Sequence, residues 1–144
     1  MTYKVLVSDG LAEAGITLLK TVSEVTVNPK ITAEELLAVL PDYHALIVRS
    51  RTKVTKPVIE AGTNLKVIGR AGVGVDNIDV AAALAKGLTV VNSPLAASVS
   101  VAELTLSMLL ALARALPAAD ASMKQGKWEK SAFIGTELCG KTLG

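Results

Sequence analysis

Short apolar runs recur along the first two thirds of the chain, and the segments between them show the spacing of amphipathic helices. Most of these runs consist mainly of Val, Ile and Leu, which is typical of buried parallel strands. The predicted strands are Lys4–Ser8, Glu24–Val27, Ala45–Val48, Leu65–Ile68 and Leu88–Val91. Because parallel strands need helical crossovers between them, this alternation predicts an α/β fold. We expect an open parallel sheet of about five strands, flavodoxin-like or Rossmann-like, with helices on both faces.

Two of the intervening helices carry clear start signals. Thr32 and Glu35 have the spacing of a capping box, in which each side chain accepts a hydrogen bond from the backbone of the other residue. Asn77 or Asp79 is expected to begin a later helix, which ends at Gly87.

The pattern changes in the last third of the chain. Residues 98–114 form a predicted helix whose apolar side chains lie all round it, and such a helix is buried within its own chain or against a partner. A second helix is predicted over 117–124, and Lys141–Gly144 resembles the start of a strand that continues past the last residue. We therefore predict a sheet domain over 1–96 and a segment of long crossing helices over 97–144 that leads into a further domain.

Composition narrows the class of protein. The chain is 51% hydrophobic and 19% charged, which is typical of an ordered globular domain. A net charge of +2 gives no indication of a nucleic-acid or membrane partner, and no uncharged stretch is long and apolar enough to span a bilayer. The single cysteine, Cys139, excludes an internal disulfide and fits a reducing compartment. A cytoplasmic location without a signal peptide is expected.

Polar groups follow three of the predicted strands. Arg49, Ser50 and Arg51 come after the third strand, Arg70 after the fourth, and Asn92 after the fifth. In an open parallel sheet, ligands bind at the carboxyl ends of the strands. Arginine side chains and free backbone amides are the groups that bind carboxylates and phosphates. The sequence therefore predicts a site for a small doubly anionic molecule, although solvated surface arginines would give the same pattern.

A glycine-rich loop follows the fourth strand. Its order, Gly69-x-x-Gly72-x-Gly74, is the reverse of the dinucleotide fingerprint G-x-G-x-x-G, and Pro94 stands where an acidic residue would be expected. We therefore interpret Gly72, Val73 and Gly74 as a loop whose backbone amides approach a ligand carboxylate. A tight turn that needs positive φ explains the glycines equally well.

The sequence offers no catalytic residue and no set of metal ligands. The only histidine, His44, precedes the third strand and so lies at the opposite edge of the sheet from the predicted site, which favours a structural role. Cys139 has no second cysteine and no nearby histidine, and is interpreted as a buried small hydrophobic residue. Asp9 stands alone after the first strand, which excludes the acidic pair of a phosphoreceiver domain.

Four segments resemble the D-isomer-specific 2-hydroxyacid dehydrogenase family. They are Ile47–Thr52, Val67–Asn77, Ser100–Leu104 and Gly126–Gly144, and the resemblance extends over the whole chain. The sequence Arg-Ala-Gly-x-Gly-x-Asp-Asn in the second segment is typical of this family. The last segment resembles its phosphoglycerate branch.

The resemblance implies a flavodoxin-like substrate-binding domain, followed by helices that lead to an NAD-binding domain and form much of a homodimer interface. It implies that Arg49, Ser50 and Arg70 hold the phosphate or carboxylate of 3-phosphoglycerate or 3-phosphohydroxypyruvate, and that Val73 also approaches the nicotinamide. The implied reaction is the NAD-dependent oxidation of 3-phosphoglycerate, the first step of serine synthesis. The dinucleotide fingerprint and the catalytic residues are expected after Gly144, so NAD is not expected to bind well to this chain.

Two alternatives stay open. A glyoxylate or hydroxypyruvate reductase shares the glycine loop but does not need to hold a phosphate. A non-catalytic module would bind a small anion, or dimerise, without supporting a reaction.

Overall fold

The computed structural model describes residues 2–144. Its sheet has five parallel strands in the order β2-β1-β3-β4-β5, which is the flavodoxin-like order. The strands are β1 (Lys4–Val7), β2 (Glu24–Val27), β3 (Ala45–Val48), β4 (Val67–Arg70) and β5 (Thr89–Asn92). The predicted α/β fold with an open parallel sheet is confirmed, and the strand order decides for its flavodoxin-like form.

Six α-helices accompany the strands. They are α1 (Glu13–Lys20), α2 (Ala33–Val39), α3 (Lys56–Ala61), α4 (Val80–Ala85), α5 (Ser98–Ala113) and α6 (Leu116–Lys124). Short 3-10 turns follow α2 at Leu40–Asp42 and occur again at Lys130–Phe133.

The main core lies on one face of the sheet. Leu46, Val48 and Ile68 point to this face and are almost completely buried. Helices α2, α3 and α4 contact one another in series and cover it with side chains such as Leu36 and Ile59. Burial of each such side chain contributes roughly 1.5–3 kcal/mol relative to leaving it in water. This face therefore supplies most of the apolar burial of the sheet domain.

The opposite face is more open. Ile47, Gly69 and Val91 are paired across β3, β4 and β5, and they alternate with the core residues along each strand. Residues of α1 and the turn before it lie beside this face, where Leu11 and Leu19 line a shared hollow with those three residues. Helices thus occupy both faces, as predicted.

The strand β4 lies two residues later than expected. Leu65 is buried in a turn, in which its amide donates to the carbonyl of Gly62 at 3.1 Å. Gly69 and Arg70 instead belong to the strand. Gly69 pairs with Ile47 on β3, and Arg70 pairs with Val48 on β3 and with Asn92 on β5. The ends of the neighbouring strands, rather than the apolar run itself, set the position of β4.

The capping box is confirmed. The Glu35 amide donates to the Thr32 hydroxyl at 3.2 Å, and the Thr32 amide donates to the Glu35 carboxylate at 2.9 Å. Of the two candidates for the start of α4, Asp79 is the cap, since its carboxylate accepts from the Ala82 amide at 2.9 Å. Asn77 has a different role, in the loops at the end of the sheet.

Two expectations for the end of the chain are wrong. Lys141–Gly144 form no strand, because they lie beside no strand of residues 2–144 with which to pair. Cys139 is exposed rather than buried, since it follows the apolar helices in a segment without regular structure.

The chain divides into two compact units, of which the first ends at Ala96 and the second begins at Ala97. In the second unit, Ala115 joins α5 to α6 in a left-handed conformation (φ 50°, ψ 34°). Helix α5 has no buried residue, and the following large apolar side chains are exposed on it: Val99, Val101, Leu104, Leu106, Met108, Leu110 and Leu112. Within residues 2–144, no single helix has the length and apolar composition needed to cross a membrane, although α5 and α6, bent by 64°, meet both criteria as a pair.

Lys86 closes the end of α3. Its ammonium group donates to the carbonyls of Ile59 at 2.5 Å, Gly62 at 2.9 Å and Glu60 at 3.2 Å. We expect Lys86→Met to lower the free energy of unfolding by about 1 kcal/mol, because helix-terminal carbonyls lose their donor at a solvent-accessible position. Urea unfolding of both proteins measures this, and equal midpoints would show that water replaces the ammonium group without cost.

Candidate anion-binding site

The carboxyl ends of three strands lie level at one edge of the sheet. Val48, Arg70 and Asn92 occupy equivalent positions on β3, β4 and β5. Because β1 lies next to β3, Asp9 at the end of β1 comes beside the loop that follows Val48. The order of the strands reverses between β1 and β3, and this is the place where open α/β sheets bind ligands.

Asp9 holds the loop that follows β3. One carboxylate oxygen accepts from the amides of Arg49 at 2.6 Å and Thr52 at 3.2 Å. The other accepts from the Thr52 hydroxyl at 2.7 Å and lies 3.1 Å from Nε of Arg51. The Ser8 hydroxyl donates to the Thr52 hydroxyl at 3.1 Å. Asp9 is 4% exposed, and these four interactions compensate the cost of burying its charge.

These interactions also set the acidity of Asp9. Burial by itself raises the pKa of the carboxyl group, but the hydrogen bonds from the hydroxyl and amide of Thr52 and the amide of Arg49, together with the charge of Arg51, outweigh it. The pKa of Asp9 therefore lies below its usual value.

A lowered pKa makes stability depend on pH. The contribution of Asp9 is complete above the pKa of the unfolded chain, about 3.9, and is lost as the pH falls through the lower pKa of the folded state. We expect the free energy of unfolding to fall more steeply below about pH 4 in the native chain than in Asp9→Asn. Urea unfolding at a series of pH values measures the two slopes. Parallel slopes would show that Asp9 titrates in the same way in the folded and unfolded states.

Asn77 holds the same loop from the other side. Its Nδ2 donates to the carbonyls of Arg49 and Thr52, each at 2.7 Å. The backbone carbonyl of Asn77 accepts a hydrogen bond from the Val54 amide at 2.8 Å. Asn77 is buried and lies three residues after Gly74 in the loop that follows β4, so it joins the loop after β3 to the loop after β4.

The three residues predicted after β3 divide into two groups. Arg49 and Ser50 are exposed, and among residues 2–144 no protein group accepts from the Ser50 amide or the Arg49 guanidinium. Arg51 points elsewhere: its guanidinium donates to the carbonyls of Ile31, at 3.1 Å, and Ser8, and it pairs with Asp9. The structure therefore gives Arg51 a set of protein partners and leaves Arg49 and Ser50 available to a ligand.

Arg70 lies folded over the glycine loop. A Cβ atom on Gly72 would be 2.0 Å from Nη1 of Arg70, so only a glycine leaves room for the guanidinium in this position. Nε of Arg70 is buried and has no hydrogen-bond partner among residues 2–144. Arg70, Asn92 and Ser93 line a hollow of about 240 Å³ together with apolar side chains of the open sheet face.

The rest of the glycine loop is tied to β5. The Asn92 side chain donates to the carbonyl of Val73 at 2.5 Å, and the Ser93 amide donates to the carbonyl of Gly72 at 3.0 Å. Within the described part of the chain, the amides of Val73 and Gly74 have no protein acceptor. The loop thus turns its carbonyls toward β5 and leaves two backbone donors free.

The glycine loop does not fit a dinucleotide. In a dinucleotide-binding fold, the helix begins at the last glycines, so that its amino end faces the pyrophosphate. Here α4 begins at Val80 with Asp79 as its cap, well after Gly74. The described residues of this loop therefore do not provide a pyrophosphate site for NAD.

Sequence reasoning missed the residues that hold the two loops. The sequence pattern predicts no role in the site for Asp9 or Thr52, and it predicts Asn77 only as a possible helix cap. The signal that would have found Asp9 is the flavodoxin-like strand order, because that order places the end of β1 next to the end of β3. Nothing in the spacing of Asn77 indicates its two carbonyl partners.

Comparison with known proteins identifies relatives of this chain. The chain is 57% identical over 141 residues to D-3-phosphoglycerate dehydrogenase from Methanocaldococcus jannaschii, with 98% of this chain and 27% of that protein covered. It is 49% identical over 143 residues to hydroxypyruvate reductase from Thermotoga maritima, with 99% of this chain and 47% of that protein covered. This chain thus spans from about a quarter to about half the length of these two relatives.

A solved structure of NAD+-bound 3-phosphoglycerate dehydrogenase from Entamoeba histolytica aligns with a TM-score of 0.68 and 30% identity. The alignment covers 79% of this chain and 40% of that one. Residues 5–138 match the catalytic domain of the D-isomer specific 2-hydroxyacid dehydrogenases. Dehydrogenases of this family are NAD-dependent and act on small substrates. The chain belongs to the D-isomer specific 2-hydroxyacid dehydrogenase family.

Proposed function

We propose that this chain is the substrate-binding part of an NAD-dependent oxidoreductase that oxidises 3-phosphoglycerate to 3-phosphohydroxypyruvate, the first step of serine synthesis. The proposal rests on one observation. The loops that follow β3 and β4 are joined by Asn77 at the same edge of the sheet, and each loop has hydrogen-bond donors without a protein acceptor. Arg49 and Ser50 lie on one loop, and Val73 and Gly74 on the other. A phosphate and a carboxylate on one small molecule need such paired groups of donors.

Most of the candidate residues then have a role toward the acid. Arg49 and Arg70 supply the positive charges, and the amides of Ser50, Val73 and Gly74 supply neutral donors. Asn92 holds the loop through the carbonyl of Val73. Arg51 is the least suited to contact the substrate, because its guanidinium is already bonded to protein groups.

NAD is the hydride acceptor of the proposed reaction. Val73 is the residue proposed to approach its nicotinamide, whereas the glycine loop provides no pyrophosphate site. The residues of this chain therefore contribute binding and orientation of the acid to the reaction. No residue of 1–144 is assigned a catalytic role. A cytoplasmic location accompanies this assignment, and the single exposed thiol of Cys139 supports it.

A second copy of the chain is the proposed partner of α5. Apolar side chains of this helix, among them Val101, Leu104 and Met108, are all more than half exposed. A monomer seldom leaves so large a contiguous apolar surface in water. A homodimer in which the α5 helices pack together removes this surface from solvent and is the assembly that the family resemblance implies.

Calorimetry of this chain with 3-phosphoglycerate tests the binding proposal. We expect Arg49→Ala to weaken binding by about 2 kcal/mol, or about 30-fold, the scale of a charge-assisted hydrogen bond. Lys53→Ala is the matched control, because Lys53 is an exposed cation of the same segment that makes no ion pair within residues 2–144. Equal affinities of Arg49→Ala and the native chain would remove Arg49 from the site.

The likeness to a hydroxypyruvate reductase supplies a second candidate function. The two differ in the need for a phosphate site, so glycerate is the discriminating ligand. The phosphoglycerate assignment predicts that glycerate binds more weakly than 3-phosphoglycerate and that Arg49→Ala or Arg70→Ala reduces the difference. Equal affinity for the two acids would favour a reductase of unphosphorylated substrates.

A further inference from the structure

We propose that Asp9 and Asn77 are positioning residues of the anion site, which fix the segment Arg49–Thr52 from two sides and set its distance from the glycine loop. The inference rests on the proposed function, since it concerns how the ligand-binding loops are held. Neither residue is one of the candidate ligand contacts. Both act through the backbone of Arg49, which is a candidate contact, and of Thr52, which ends the same segment.

Asp9 and Asn77 form hydrogen bonds with the backbone of the first and last residues of this segment. A single oxygen of Asp9 accepts from the amides of both Arg49 and Thr52. A single nitrogen of Asn77 donates to the carbonyls of the same two residues. The first and last residues of the segment are therefore bonded on both sides of the backbone, and Ser50 lies between them.

Asn77 has an additional consequence because of its place in the chain. It follows Gly74 in the loop after β4, and its backbone carbonyl accepts a hydrogen bond from the Val54 amide, just after the segment Arg49–Thr52. The two amide hydrogens of its side chain are both used on the segment after β3. One residue therefore links the loop that carries Arg49 to the loop that carries Val73 and Gly74.

A stabilising role alone does not explain this choice of groups. Burying a carboxylate and an amide costs free energy, and Oδ1 of Asn77 is buried without a hydrogen-bond partner among residues 2–144. Apolar side chains would fill the same space at lower cost. The benefit of buried polar groups is geometric, since hydrogen bonds fix backbone direction more narrowly than apolar contact does. Charged ligands need donors that are oriented before binding, because each misplaced donor loses its bond.

Calorimetry with 3-phosphoglycerate on the 144-residue chain tests the inference through Asp9→Ala and Asn77→Ala. We expect each variant to bind about tenfold more weakly, although Arg49, Ser50 and Arg70 are all retained. Asp9→Asn keeps an acceptor for the two amides, so its affinity should lie between those of the native chain and Asp9→Ala. Val58→Ala is the control: it truncates a buried residue of α3, and it should lower stability without changing affinity.

Hydrogen exchange of the backbone amides gives a reading that does not depend on the ligand. We expect the Arg49 and Thr52 amides to exchange faster in Asp9→Ala and Asn77→Ala, and to stay protected in Val58→Ala. If Asp9→Ala does not fold, the affinities and exchange rates of Asp9→Asn and Asn77→Ala test the inference. Native values in both variants would then overturn it.

The possible failures are distinguishable. A native chain that does not bind 3-phosphoglycerate overturns the proposed function, and this inference with it. A native chain that binds, is weakened by Arg49→Ala and is unaffected by Asp9→Ala and Asn77→Ala overturns the inference alone. Equal weakening by Val58→Ala also overturns it, because general loss of stability would then explain the effect.

Discussion

Leu104→Glu combined with Met108→Glu should convert a dimer of this chain into a monomer. The two residues lie one helical turn apart on α5, and both are more than half exposed in the single chain. Each side chain contributes roughly 1.5–3 kcal/mol when it is removed from water, and each glutamate would add a charge to the same interface. Together these effects predict a dissociation constant raised by at least about a thousandfold.

Sedimentation velocity at several protein concentrations measures this change. Leu18→Glu is the matched control, because Leu18 is an equally apolar and exposed residue on α1, in the first compact unit. It should leave the dimer intact. A native chain that stays monomeric over the whole concentration range would show that the surface of α5 is not covered by a second copy.

Gly72→Ala should weaken the binding of 3-phosphoglycerate by about 100-fold, the largest single effect expected in the site. A methyl group on residue 72 would occupy the space that the Arg70 guanidinium now fills, with Nη1 only 2.0 Å from the added carbon. The arginine must then leave its position over the loop, and the site loses a charge-assisted hydrogen bond. The methyl group would also narrow the approach to the free amides of Val73 and Gly74.

Gly10→Ala is the control for this experiment. Gly10 follows β1 at the same edge of the sheet, and an added Cβ would meet no atom within 4 Å. Calorimetry should therefore show native affinity for Gly10→Ala and strongly reduced affinity for Gly72→Ala. If Gly72→Ala bound as tightly as the native chain, Arg70 could not act from its position over the loop.

The periodic parts of the fold could be predicted from the sequence. The strands β2 and β3 have the predicted bounds, because each is a short segment rich in β-branched residues that ends at polar or turn residues. The capping box at Thr32 and Glu35 is a local pattern whose two hydrogen bonds depend only on neighbouring residues. The displacement of β4 is of another kind, since Gly69 and Arg70 join the strand through partners that are distant in sequence.

The candidate site shows the same division. Arg49 and Arg70 could be placed at the edge of the sheet because each stands at the end of an apolar run. The direction in which an arginine points depends on its partners, and Arg51 has its partners in Asp9 and Ile31. Asp9 and Asn77 could not be assigned their roles, because their partners are backbone atoms of another loop.

The strand order bears on how the first unit folds. Three of its four strand pairings join strands that follow one another along the chain, and the pairing of β1 with β3 alone passes over a strand. A contact between distant segments must overcome a larger loss of chain entropy, so it tends to form late. The hydrogen bonds that Asp9 accepts from Arg49 and Thr52 join the ends of these two strands. We therefore expect the refolding chain to gain its affinity for 3-phosphoglycerate only when β1 pairs with β3, late in refolding. The rate at which ligand binding appears during refolding would then measure the rate of this pairing.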